Sequence, residues 1–186
     1  KCFYDRKPKS EYAFLKKYRN ELIQNKNTIE VTNFGVGSGG LKSNKRAVAQ
    51  IVKTTAINPK RAELLFRIVR YFQPDNILEI GTSLGLATYA LALGNPKAKI
   101  TTLEGCPNTM AIAKSQLQVL NSNNVIPTVT EFGEYLQSKN LKSEIYNLIY
   151  LDGNHQKQAT LEYFELLLPT ISNDTVWIID AIHCSD

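Results

Sequence analysis

The segment Asn76–Gly85, N-I-L-E-I-G-T-S-L-G, constrains this chain more than any other. An apolar run ends on a carboxylate, Glu79, and a glycine turn follows before a helical pattern begins. A second apolar run ends on another carboxylate, Glu104, nineteen residues beyond Gly85. Gly81 and Gly85 allow a ligand close to the backbone, and a carboxylate at Glu104 can accept from two ribose hydroxyls. A strand–turn–helix of this kind suits a nucleoside-bearing ligand.

The glycine spacing separates the candidate ligands. A dinucleotide fingerprint needs G-x-G-x-x-G, so that a helix N-terminus faces a pyrophosphate. Here Ser83 occupies the position two before Gly85, and no Tyr-x-x-x-Lys pair accompanies the turn. A nicotinamide-dependent oxidoreductase is therefore disfavoured.

The remaining sequence alternates between strand and helix patterns. Strands are expected near 76–80, 99–103, 125–130, 147–151 and 175–180, and helices near 84–93, 108–120, 133–138 and 157–168. Repeated β–α units predict a parallel sheet covered on both faces. Asn58-Pro59 is a helix start, with Asn as N-cap and Pro at the first position. That helix places Ala62, Leu65, Phe66, Val69 and Phe72 at core spacing and stops before Pro74. The helix near 108–120 puts Met110, Ala113, Leu117 and Leu120 on one face. Residues 58–186 thus read as one α/β domain. Residues 1–57 read as an N-terminal helical and lid extension. It has a helix over 10–24 striped by Tyr12, Leu15, Tyr18 and Leu22, an extended piece at 28–32, and a helix over 46–56.

Each predicted core strand ends on an acid: Glu79, Glu104, Glu131, Asp152 and Asp180. In an open α/β sheet these ends form one rim, where ligands bind. The loop Asn33–Gly40 is glycine-rich but lacks the G-K-[ST] of a phosphate loop. It reads as a hinge or as a lid over the rim.

Charge is uneven. Residues 1–61 hold 14 Lys and Arg against 4 Asp and Glu, within a chain of net charge +5. Without aromatic–basic interleaving this does not predict a nucleic-acid partner. Solvation, or docking on the more acidic remainder, accounts for it. Cys2, Cys106 and Cys184 lack C-x-x-C spacing, which argues against a disulfide framework or structural zinc. No signal peptide or membrane span is recognised, and a cytoplasmic location is expected.

The motifs I-L-E-I-G-T-S-L-G, T-L-E-G, T-E-F-G-E-Y-L and L-I-Y-L-D-G-N-H occur in the order found in class I S-adenosylmethionine (SAM)-dependent methyltransferases. Over about residues 58–183 the chain resembles the catechol-type O-methyltransferases, in particular a bacterial group of unassigned substrate. The resemblance implies a doubly wound, Rossmann-like sheet of core-strand order 3-2-1-4-5, in which Pro127 falls on an edge strand. The family's sixth and seventh strands are missing from this chain. The fifth strand is then left as an edge open to pairing with another copy.

The resemblance also implies site roles. Glu79 supports the turn and the cofactor's amino group, and Gly81, Thr82, Ser83 and Gly85 face its methionine part. Glu104 holds the ribose, Glu131 reaches the adenine amino group, and the backbone of Phe132 donates to a ring nitrogen. Asp152 touches the cofactor. His155 stands where metal-dependent relatives place a lysine base. An imidazole titrates near neutrality and suits a general base, although a turn histidine also serves as a helix cap. Relatives hold a divalent metal at positions matching Asp152, Asp180 and Ala181. Ala181 carries no donor atom, so a dedicated magnesium site is not expected. Asp152, Asp180 and His183 are the residues left for a softer metal. The activity implied is O-directed methyl transfer to a small hydroxylated acceptor. A non-catalytic SAM-binding module in regulation or assembly is the alternative.

Overall fold

The computed structural model describes residues 3–5, 7–32, 44–119, 123–138, 141, 144–154 and 156–180. The loop 33–40, Leu120, His155, Ala181 and His183, all singled out from the sequence, lie outside the described residues.

Five strands form one parallel sheet: β3 (Asn76–Ile80), β4 (Lys99–Glu104), β5 (Val125–Val129), β6 (Leu148–Leu151) and β7 (Val176–Ile179). Their order is β5-β4-β3-β6-β7. The chain therefore starts in the middle of the sheet, builds to one side, then crosses back to build the other. Pro127 lies in β5, which pairs only with β4, so its missing N–H costs no ladder bond on the open side.

Strand alternation divides the core in two. Ile77, Ile100, Leu148 and Tyr150 point to one face, against α3 (Pro59–Phe72) and α4 (Leu86–Gly94). Leu78, Ile80, Leu103, Ile149 and Leu151 point to the other, with Tyr146, Tyr163 and Leu167 packed against them. Tyr163 and Leu167 belong to α7 (Lys157–Leu167). The remaining core helices are α5 (Pro107–Val119), which buries Met110, Ala113 and Leu117, and α6 (Phe132–Gln137).

The N-terminal helix α1 (Glu11–Gln24) joins the first of these cores. Leu15, Tyr18 and Leu22 are buried with α3 and α4, while Tyr12 is only partly covered. Arg19 donates to the carbonyls of Ile57 (2.8 Å) and Val52 (3.0 Å), fixing α1 to α2 (Val48–Thr54) and its exit. Part of the basic charge of residues 1–61 thus meets backbone carbonyls and an acid after β7, with Arg61 paired to Asp180, while Arg70 of α3 pairs with Glu11 of α1.

Two expectations need correction. Arg46 and Ala47 are not the start of a helix. They lie in β2 (Lys45–Ala47), antiparallel to β1 (Thr28–Glu30), with Ile29 opposite Arg46. Pairing with β1 supplies ladder partners that the helix pattern did not anticipate, and α2 begins only at Val48. Phe72 is not in the core either. It is the last residue of α3, before the chain reverses at Gln73 (φ 48°), and it is 49% exposed with its ring edge-on to Tyr71. Ile68 is buried instead. The start of α3 follows the sequence, with Asn58 Oδ1 accepting from Arg61 N at 3.0 Å and Pro59 in the first turn.

One acid is buried in the middle of this fold. Glu79 shares its face of β3 with Ile77 and has no exposed surface. Its Oε2 accepts from Thr88 of α4 and Thr102 of β4, each at 2.6 Å. Burial pushes this carboxyl up to about 8, against the opposing pull of the two threonine bonds.

Two outcomes follow from this packing. Leu22→Ala should lower the unfolding free energy by about 2–4 kcal/mol in urea denaturation, because α1 forms part of the main core. A loss below ~0.5 kcal/mol would show α1 to be dispensable. Glu79 keeps its proton when folded, at pH values where an unfolded glutamate has released it. Stability should therefore fall as pH rises from about 4.5 toward 8. Glu79→Gln should remove this component, gaining on the order of 2–4 kcal/mol over wild type between pH 5 and pH 8. Parallel melting curves for the two proteins across that range would refute it.

Candidate functional site

The carboxyl ends of β3, β4 and β6 open into a cavity of about 440 Å³. Its floor is the turn after β3. Gly81 (φ 104°) lies so near β6 that a Cβ there would sit 2.2 Å from the carbonyl oxygen of Asp152. Gly81 N and Thr82 N both donate to Leu103 O, at 3.0 and 2.9 Å, which seals the turn to β4. Ser83 takes a left-handed conformation (φ 49°) that aims its N–H at Glu104 Oε2, 2.8 Å away. Gly85 (φ 79°) then starts α4; a side chain there would meet the Tyr18 hydroxyl, which donates to Leu84 O.

Glu104 is held at both oxygens, since Cys106 N donates to Oε1 at 2.9 Å. Burial raises its pKa and the backbone amides oppose that shift, so the carboxylate is oriented but partly desolvated. It lines the cavity with lone pairs left to accept from a ligand.

On the opposite side, Glu131 caps α6 by accepting from Glu134 N (2.8 Å). Phe132 meets Tyr163 edge-on at 6.1 Å between ring centroids. Gly153 admits that ring, because a Cβ there would lie 2.6 Å from Phe132. Asn154 (φ 47°) donates to the Tyr163 hydroxyl at 3.1 Å, and its buried Oδ1 has no hydrogen-bond partner among the described residues. Asp152 accepts from Tyr150 Oη at 2.7 Å. Burial lifts Asp152 to about 7, with the Tyr150 bond opposing and the neighbouring Asp180 adding to the rise.

Gly81, Thr82, Ser83, Glu104, Glu131, Phe132 and Asp152 therefore meet around one cavity. Glu79 does not line it: its carboxyl lies beneath the turn, among threonines. Gly85 is also set back, against Tyr18 and Ala113. Asp180 stands outside the lining and pairs with Arg61. Among the described residues no group of three His, Cys, Asp or Glu side chains is placed to hold a metal ion, and no helix is long and apolar enough to cross a membrane.

Sequence reasoning missed the wall built by Thr32, Arg46, Ile51 and Thr55. No motif marks them, because they reach the cavity only through the β1–β2 hairpin and α2. Tyr150 was legible in principle: two residues before Asp152 on a strand, it shares that residue's face.

Comparison with known proteins bears on the fold and the family. The chain is 25% identical over 139 residues to a catechol O-methyltransferase of Niastella koreensis, covering 68% of this chain and 58% of that protein. It thus spans little more than half the length of that relative. Among solved structures it resembles an O-methyltransferase from Bacillus cereus in complex with SAH. That match has 23% identity, a TM-score of 0.65, and coverage of 95% of this chain and 68% of that one. It also resembles the O-methyltransferase TomG from Streptomyces achromogenes in complex with SAM, at 18% identity and TM-score 0.63, covering 95% of this chain and 67% of that one. At these identities the structural likeness shows the fold. A family model described as a methyltransferase domain matches residues 78–182, more than half of the sequence, and the chain belongs to that methyltransferase family.

Proposed function

We propose that this protein binds SAM across the cavity and transfers a methyl group to a hydroxyl oxygen of a small acceptor. The observation that carries the reading is Glu104, whose carboxylate is fixed by Ser83 N and Cys106 N beside a glycine turn. A rigid carboxylate at this rim is a receptor for a ribose diol.

The other lining residues fit the same ligand. The lining sets three acids, Glu104, Glu131 and Asp152, against one cation, Arg46, a balance that suits a sulfonium cation. The unpartnered Oδ1 of Asn154 is a buried acceptor that a donor-bearing ligand would satisfy. Glu131 and the Phe132 backbone take the adenine end, and Gly81, Thr82 and Ser83 take the methionine end. Glu79 and Gly85 act from behind, setting the shape of the turn.

When bound, SAM supplies a methyl group already activated on sulfur. The chain's task is then mainly orientation, which is worth several kcal/mol or more of the barrier, of order ~7–11 in well-aligned cases. Asp152 positions the donor, held in turn by Tyr150. His155, immediately after Asn154, removes the acceptor proton. From the N-terminal extension, Val31, Thr32, Arg46 and Ile51 wall one side of the cavity and would face the acceptor.

Calorimetry should show SAM binding and none of NADH. Glu104→Ala should weaken SAM binding by about 1–3 kcal/mol, some 5- to 150-fold, because the ribose hydroxyls lose a charged acceptor. Binding of NADH without SAM, or an unchanged affinity in a folded Glu104→Ala protein, would overturn the assignment.

A further inference from the structure

β6 and β7 run parallel with Leu151 beside Ile179, and Asp180 N donates to Leu151 O at 2.9 Å. The register therefore brings Asp152 and Asp180 side by side at the sheet rim. The charge of Asp180 reaches Asp152 and adds to the rise that burial causes there. Two adjacent carboxylates repel each other, and such a pair draws in a cation.

That cation is already present on the first turn of α3. Arg61 Nη1 lies 2.7 Å from Asp180 Oδ1, and the guanidinium charge reaches Asp152 as well. The backbone of Arg61 is itself fixed, donating to the Asn58 cap. A magnesium-like ion in the same place needs oxygen ligands in near-octahedral array. One oxygen of Asp180 is engaged by Arg61, and Ala181 supplies no donor by sequence. Among the described residues no third ligand joins Asp152 and Asp180, so these residues do not fit a dedicated divalent site.

We propose that Arg61 is the built-in counter-cation of this rim, its guanidinium standing where a divalent ion would otherwise be held by Asp152 and Asp180. The functional half, methyl transfer without a bound metal, rests on the reading given above; the occupation of the acid pair by Arg61 does not. Arg61 is a positioning residue. It lies outside the cavity lining and acts by keeping Asp180, and through it Asp152, in place. The pair is too exposed for stability to be its main effect: Arg61 is 59% exposed and Asp180 22%.

The test is manganese binding to the EDTA-treated, dialysed full chain, followed by electron paramagnetic resonance. Wild type should bind no Mn²⁺ in the micromolar range, and Arg61→Lys should behave likewise. Arg61→Gln should gain at least about tenfold in Mn²⁺ affinity. Asp180→Asn added to it should abolish the gain. Micromolar Mn²⁺ binding by wild type, or a folded Arg61→Gln protein by circular dichroism that gains nothing, would overturn the proposal. SAM calorimetry on the same samples decides the cofactor reading separately, since failure there leaves the manganese result standing.

Discussion

The contact between the turn after β3 and the end of β6 sets the whole site. Any side chain at position 81 would collide with the Asp152 carbonyl, so glycine alone lets the two central strand ends come together. From that approach come the direction of the Gly81–Ser83 turn, the amide offered to Glu104, and the cavity between Glu104 and Asp152. Substituted there, the chain would still form a sheet, but its rim would be parted where ligand recognition is concentrated.

Beneath this contact, polar groups are sorted by what surrounds them. Glu79 is enclosed by apolar side chains and two threonines, and it holds its proton. Glu104 is only partly buried and receives two backbone amides, which favour its charge. Acids that read alike in the sequence thus have separate settings: Glu79 lies inside β3, and Glu104 ends β4. One ties β3 to Thr88 of α4 and Thr102 of β4, and the other lines the cavity.

Much of the sheet and one side of the site were legible because local chemistry writes them directly. Alternating apolar runs mark β3 to β7, Asn58-Pro59 marks the start of α3, and glycine spacing marks the turn. The rest depends on long-range partners. Arg46 and Ala47, read as the start of a helix, are drawn into a strand by Thr28–Glu30. Phe72 keeps helical core spacing but falls where α3 has run out of neighbour. Arg61 looks like one more surface cation until β7 brings Asp180 to it across 119 residues of sequence. Periodicity reports which face is apolar; it does not report what a distant segment places opposite.

The β1–β2 hairpin carries a thermodynamic consequence. Its strands are three residues each, too short to hold together unaided. The hairpin is tied to α5 by Asn108 donating to Glu30 O at 2.9 Å and by Thr32 N against Cys106 Sγ. Val31, Thr32 and Arg46 nonetheless form one wall of the cavity. Whatever fills that space adds contacts to a two-stranded sheet with few of its own, so occupancy and local order rise together.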